Sequence, residues 1–158
     1  MDRRMMDTLL TWRSASEKTG LVISGTRQVG KTFIVDELGR NHYTHYLRLD
    51  FSTDPEAGRL FEDDIDADSI FRKLLCRFPE FRVEKGDSLL FLDEIQLCPD
   101  ARSSIKPLVV DGRVDVIASS SLVGTGWMGH SDKRGLPWAG HPENLIRETV
   151  SEGKKPSL

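Results

Sequence analysis

"ISGTRQVGKTF", residues 23–33, ends a short apolar run on a glycine and then sets a second glycine, a lysine and a threonine at fixed distances. Gly25, Gly30, Lys31 and Thr32 fit the pattern G-x-x-x-x-G-K-[ST]. Each fixed position has a chemical reason. The glycines accept backbone conformations that other residues resist, so several N–H groups can turn inward on an anion. A helix starting near Lys31 aims its positive dipole end at the same anion. Lys31 adds a compact cation, and Thr32 a hydroxyl suited to Mg²⁺. At ordinary residue frequencies, chance produces this pattern in about one chain of this length in 200. The stretch therefore implies a nucleotide-phosphate cradle made of Gly25, Thr26, Arg27, Gln28, Val29, Gly30, Lys31, Thr32 and the adjoining Phe33.

The flanking segments supply the context such a loop needs. "TGLVISG" (19–25) reads as a strand, and "KTFIVDELGRN" (31–41) as a helix with Phe33, Ile34 and Leu38 inward and Gly39 at its C-terminal end. Upstream, Met6, Leu9, Leu10 and Arg13 recur at helical spacing, which predicts a helix over 3–16. Downstream, "YTHYLRLDFS" (43–52) alternates like a second strand. Two helices are expected over 55–65 and 66–78, the second capped by Asp66 or Asp68. "DSLLFLDE" (87–94) has the unbroken apolar run of a fully buried strand. "PDARSSIKPLVVDG" (99–112) predicts a helix that Pro107 interrupts or bends, and "RVDVIASSS" (113–121) a fourth strand. Strands alternating with helices at this spacing imply an α/β fold with a parallel sheet.

The buried strand ends in Asp93 and Glu94. A carboxylate at that end, beside the phosphate loop, can hold Mg²⁺. A second one next to it can take a proton from an attacking water, which contributes roughly 10²–10⁴ in rate. Small phosphotransferases of this class need no such glutamate, and the arginine-rich lid they carry is missing from the pattern. Ser119, Ser120 and Ser121 end the following strand, where a polar side chain could sense a γ-phosphate. No [NT]-K-x-D guanine element is present, which favours ATP.

Composition narrows the class. The 158 residues are 38% hydrophobic and 30% charged with net charge -3, which reads as one globular domain and gives no support to nucleic-acid binding. Cys76 and Cys98 are the only cysteines, read as two buried thiols in a reducing compartment. The charged start "MDRRMMDTLLTWRS" lacks a signal-peptide core, and no run approaches a membrane span, so a cytoplasmic location is expected. After Val123 the chain turns rich in Gly and Pro, and residues 125–158 read as loop or disorder. Leu145, Ile146 and Val150 suggest one or two weak helical turns there. His130, His141, Trp127 and Trp138 have no ligand spacing.

Together, "SGTRQVGKTF", "LLFLDEIQLCP", "SSIKPL" and "VIASSSLVG" resemble a prokaryotic AAA-type P-loop ATPase family. Its members typically read "GARQVGKT", "FFDEIQ" and "IAAGSLLG", and follow the P-loop domain with a C-terminal domain of poorly defined function. The resemblance runs from about Arg3 to Gly124. It implies a three-layer α/β/α P-loop NTPase of the additional-strand, extra-glutamate type, with sheet order 5-1-4-3-2. It implies Lys31 and Thr32 as phosphate and Mg²⁺ contacts, Asp93 as the Mg²⁺ carboxylate and Glu94 as the water-activating base. Ser121 falls on the family's "GS" serine, while Ser120 replaces its glycine; Gln96 matches a family position to which no role attaches. From Thr125 onward the family's fifth strand, helical lid and C-terminal domain find no match, so strand five is expected to be missing and the chain to be a truncated or frameshifted member. Arg134 and Arg147 lie in that tail without a motif that would make either an arginine finger.

The expected organisation is thus an ATP-binding domain over 1–124 and an atypical tail over 125–158. Its cofactors would be ATP and Mg²⁺ and its chemistry ATP hydrolysis. A non-hydrolysing nucleotide-binding or interaction module is the alternative, with a protein partner or homo-oligomer left open.

Overall fold

The computed structural model of the protein describes residues 3–16, 19–25, 30–121 and 145–150. In chain order the elements are α1 (Arg3–Ser14), β1 (Gly20–Gly25), α2 (Lys31–His42), β2 (His45–Asp50), α3 (Ala67–Arg77), β3 (Ser88–Asp93), α4 (Pro99–Asp111), β4 (Asp115–Ser120) and β5 (Leu145–Val150). Short 3₁₀ helices cover Pro55–Phe61 and Ile95–Leu97.

All strand pairings are parallel, and the sheet runs β5-β1-β4-β3-β2. That is the order 5-1-4-3-2, but with its fifth position filled. The expected loss of strand five is corrected by Leu145–Val150, which pairs with β1 from Gly20↔Leu145 to Gly25↔Val150. The stretch expected there as weak helical turns is a strand instead. "LIRETV" carries three β-branched residues, and β1 offers it a row of backbone groups that must find partners.

Side-chain alternation along the strands divides the core in two. Leu89, Phe91, Leu21, Ile23 and Ile117 meet α1 and α2 through Leu9, Trp12, Ile34, Val35 and Leu38. On the other face Leu90, Leu92, Val22, Val116 and Ala118 pack on Ile70, Phe71, Leu74, Ile105 and Leu108 of α3 and α4. Every residue of β3 and β4 is buried, as their near-continuous apolar runs require. The result is the three-layer α/β/α sandwich.

Local chemistry explains the boundaries. Asp66, not Asp68, caps α3 by accepting from the Ser69 amide at 3.0 Å. The helix expected over 55–65 is a 3₁₀ helix that stops at Phe61. Pro99 opens α4, Gly112 closes it with φ 83°, and the helix runs through Pro107 without a break. Gly39 lies inside α2, where the Tyr46 ring occupies the space a Cβ would take. Phe33, expected inward, is 61% exposed, because Ile34, Val35 and Leu38 take the face turned to the sheet. The cysteine expectation also changes: Cys76 is exposed, and Cys98 is half-buried, which pushes its thiol up. Among the described residues no helix is long and apolar enough to cross a membrane.

Candidate functional site

Parallel topology brings the C-terminal ends of β1, β3 and β4 to one edge of the sheet, where ligands of open α/β sheets bind. Gly30 sits there at φ 81°, a left-handed conformation open to glycine, as the residue that caps α2. Lys31 and Thr32 follow in the first turn of that helix, so their positions at the dipole's positive end come directly from the loop's spacing. Thr26, Arg27, Gln28 and Val29 of the predicted cradle lie outside the described residues, as do Arg134, His130, His141, Trp127 and Trp138.

Two hydrogen-bonded groups meet at this edge. Asp93, 1% exposed, accepts from the Thr32 hydroxyl at 3.0 Å on Oδ2 and from the Ser119 hydroxyl at 2.5 Å on Oδ1. Ser119 in turn accepts from the Glu94 amide at 3.1 Å. Arg48 of β2 reaches the same Asp93 Oδ2, with Nε at 3.0 Å and Nη2 at 2.9 Å.

The second group centres on Glu94, which leaves the strand at φ 62° and ψ 50°. A left-handed backbone at a non-glycine residue costs roughly 1–3 kcal/mol and persists where the surroundings enforce it. The turn aims the carboxylate back over the sheet edge. Ser121 donates to both its oxygens at 2.9 Å, and Gln96 Nε2 donates to Oε1 at 2.7 Å. Lys31, 4% exposed, points its Nζ at Ser121 Oγ at 3.5 Å. The chain Lys31–Ser121–Glu94–Gln96 therefore joins the phosphate-loop cation to the strand-end carboxylate. Gln96 Oε1 is buried without a hydrogen-bond partner among the described residues.

Of the three candidate serines, Ser121 meets Lys31 and Glu94, and Ser119 meets Asp93. Ser120, buried at the end of β4, is turned to the opposite face by strand alternation. Arg48 carried no motif in the sequence. Its only signal was a lone basic residue amid the apolar positions of "YLRLDF". Burial works against its charge, yet Asp93, Asp36 and Asp50 together raise its pKa further. For Asp50, burial pushes the other way, but hydrogen bonds from Ser52 and the Arg48 charge hold the carboxyl below its ordinary range.

The donor set fits a magnesium–nucleotide ligand. The Thr32 hydroxyl and the Asp93 carboxylate are hard oxygen donors already within 3.0 Å of each other, as a small ion that keeps most of its water requires. Lys31 and the first turn of α2 face the same edge and suit a polyphosphate. A separate cluster of His45, Glu84 and Asp87 sits at the opposite, N-terminal edge of the sheet, where its groups tie loop ends together.

A family model described as "AAA domain" matches residues 17–126. The chain belongs to the AAA domain family. It is accordingly a nucleotide-binding P-loop domain of the ATPase type. The solved structure of PCH-2 from C. elegans is similar in fold, with a TM-score of 0.52 at 15% identity. The match covers 94% of this chain and 42% of that one, so this AAA domain spans less than half the length of that structure. No match was found among curated proteins.

Proposed function

We propose that this AAA domain binds ATP with Mg²⁺ and hydrolyses it. The observation that carries the reading is the convergence of Lys31, Ser121 and Glu94 in one hydrogen-bonded chain beside the Thr32–Asp93 pair. Gly25 to Phe33 would form the phosphate cradle, with Lys31 against the β- and γ-phosphates and the start of α2 adding its dipole. Thr32 and Asp93 would hold Mg²⁺, which when bound supplies neutralising charge on the phosphate oxygens. Glu94 would take the proton from the attacking water as general base. Ser121, touching both Lys31 and Glu94, would orient that carboxylate relative to the γ-phosphate. The proposed folding unit is residues 1–124 together with the strand at 145–150, acting in the cytoplasm.

Phosphate release measured with Mg²⁺-ATP tests this. Glu94→Gln should lower the rate by about 10²–10⁴ while ATP still binds. Equal rates in the two proteins, with binding intact, would overturn hydrolysis and leave a nucleotide-binding module. Lys31→Ala should abolish measurable ATP binding, and unchanged affinity there would overturn the cradle itself.

A further inference from the structure

Arg48 has no part in the hydrolytic reading, yet its guanidinium faces three carboxylates, those of Asp36, Asp50 and Asp93. It lies on β2, where Arg48 pairs with Phe91 and Asp50 with Asp93 in the neighbouring β3. Two carboxylates directly opposite each other on parallel neighbours repel. The Arg48 guanidinium spans them: Nη2 lies 3.0 Å from Asp50 Oδ2 and 2.9 Å from Asp93 Oδ2. Its Nη1 also lies 3.6 Å from Asp36 Oδ2 on α2. Asp36 and Asp50 have further donors of their own, Tyr46 for the first and Ser52 for the second.

Asp93 Oδ2 already accepts from Thr32 and from two guanidinium nitrogens. Those donors fill the lone pairs that a metal-bound water would use. The same contact has a second effect. An ionised carboxylate at the edge that receives a polyphosphate repels it unless a cation stands beside it. In this chain that cation is built in.

We propose that Arg48 is a resident counter-cation for Asp93, which admits the polyphosphate of a nucleoside triphosphate ahead of the divalent ion and yields Asp93 when the ion arrives. Asp36 and Asp50 keep the displaced guanidinium paired. The inference rests on the reading of Thr32 and Asp93 as the seat of the ion. Its consequence is a weak coupling between nucleotide affinity and Mg²⁺, because Asp93 is already neutralised by a guanidinium before the ion arrives.

The test is the affinity of the full chain for the non-hydrolysable β,γ-imido analogue of ATP, measured by calorimetry with Mg²⁺ and with EDTA. In the unmodified protein, removing Mg²⁺ should weaken binding by less than about tenfold. In Arg48→Gln the same removal should weaken it by more than about a hundredfold, and Arg48→Lys, which keeps the charge, should return most of the way to the unmodified ratio. An arginine that only braces the fold would lower the melting temperature and leave the ratio unchanged, and that result overturns the proposal. If Arg48→Gln fails to fold, a loss above about tenfold in the unmodified protein overturns it equally. No binding under either condition would instead sink the nucleotide reading of the site, a distinct failure.

Discussion

Asp93 and Glu94 are neighbours in the chain and differ in almost every physical respect. Asp93 is the last residue of a buried strand and takes hydrogen bonds from two hydroxyls and a guanidinium. Glu94 has left the strand through a left-handed turn, and its carboxylate is held by the neutral donors Ser121 and Gln96. One carboxylate is pinned by the sheet and by a cation. The other is held by side chains that can exchange it for another acceptor. A group that seats an ion gains from the first arrangement, and one that must meet a moving water gains from the second.

The sharpest way to break this contrast is to remove the pinned carboxylate. Asp93→Ala deprives Thr32, Ser119 and Arg48 of a shared acceptor and should cost about 3–5 kcal/mol of stability in urea unfolding. A loss under about 1 kcal/mol would mean that Asp93 is not held as described.

Next come the two serines that separate the carboxylates. Ser119→Ala leaves the buried Glu94 amide and Asp93 Oδ1 each short of a partner, and should cost about 1–3 kcal/mol. Ser121→Ala, at the more open end, should cost about 1 kcal/mol or less, since water can replace its hydroxyl. If the two variants unfold at the same urea concentration, the proposed difference between the two groups is wrong.

The smallest effect concerns acid. Asp50's carboxyl is depressed in the folded state, so its contribution is present above its ordinary pKa and is lost as the pH falls through the folded value. Asp50→Asn should therefore lower stability slightly at neutral pH and flatten its decline below about pH 4, where the two proteins converge. An unchanged acid profile would show that Arg48 and Ser52 do not hold Asp50 in this way.

How much of this was legible beforehand depends on the distance over which each feature is encoded. The proposed cradle is encoded locally: the spacing that sets Gly30 before Lys31 accounts for that glycine's left-handed backbone and for the start of α2. Asp93 and Glu94 were equally legible, because four apolar residues before two carboxylates describe a buried strand and its end. Phe33 misled because its neighbours, not its own hydrophobicity, decide which side of α2 meets the sheet. The fifth strand was hidden because "LIRETV" stands in a Gly- and Pro-rich setting, and its structure follows from the open edge of β1, more than a hundred positions earlier in the chain.

The sequence alone determined the layered α/β class, the phosphate loop and the pair of strand-end carboxylates, since each is written in contiguous residues whose spacing matches a backbone period. Only the tertiary structure decided which serine serves which carboxylate, that β1 is flanked on both sides, and that Arg48 lies against Asp93. Those facts depend on strand register. Register is set by how two faces of a whole sheet pack, and a shift of one residue would turn Arg48 to the opposite face, away from Asp93.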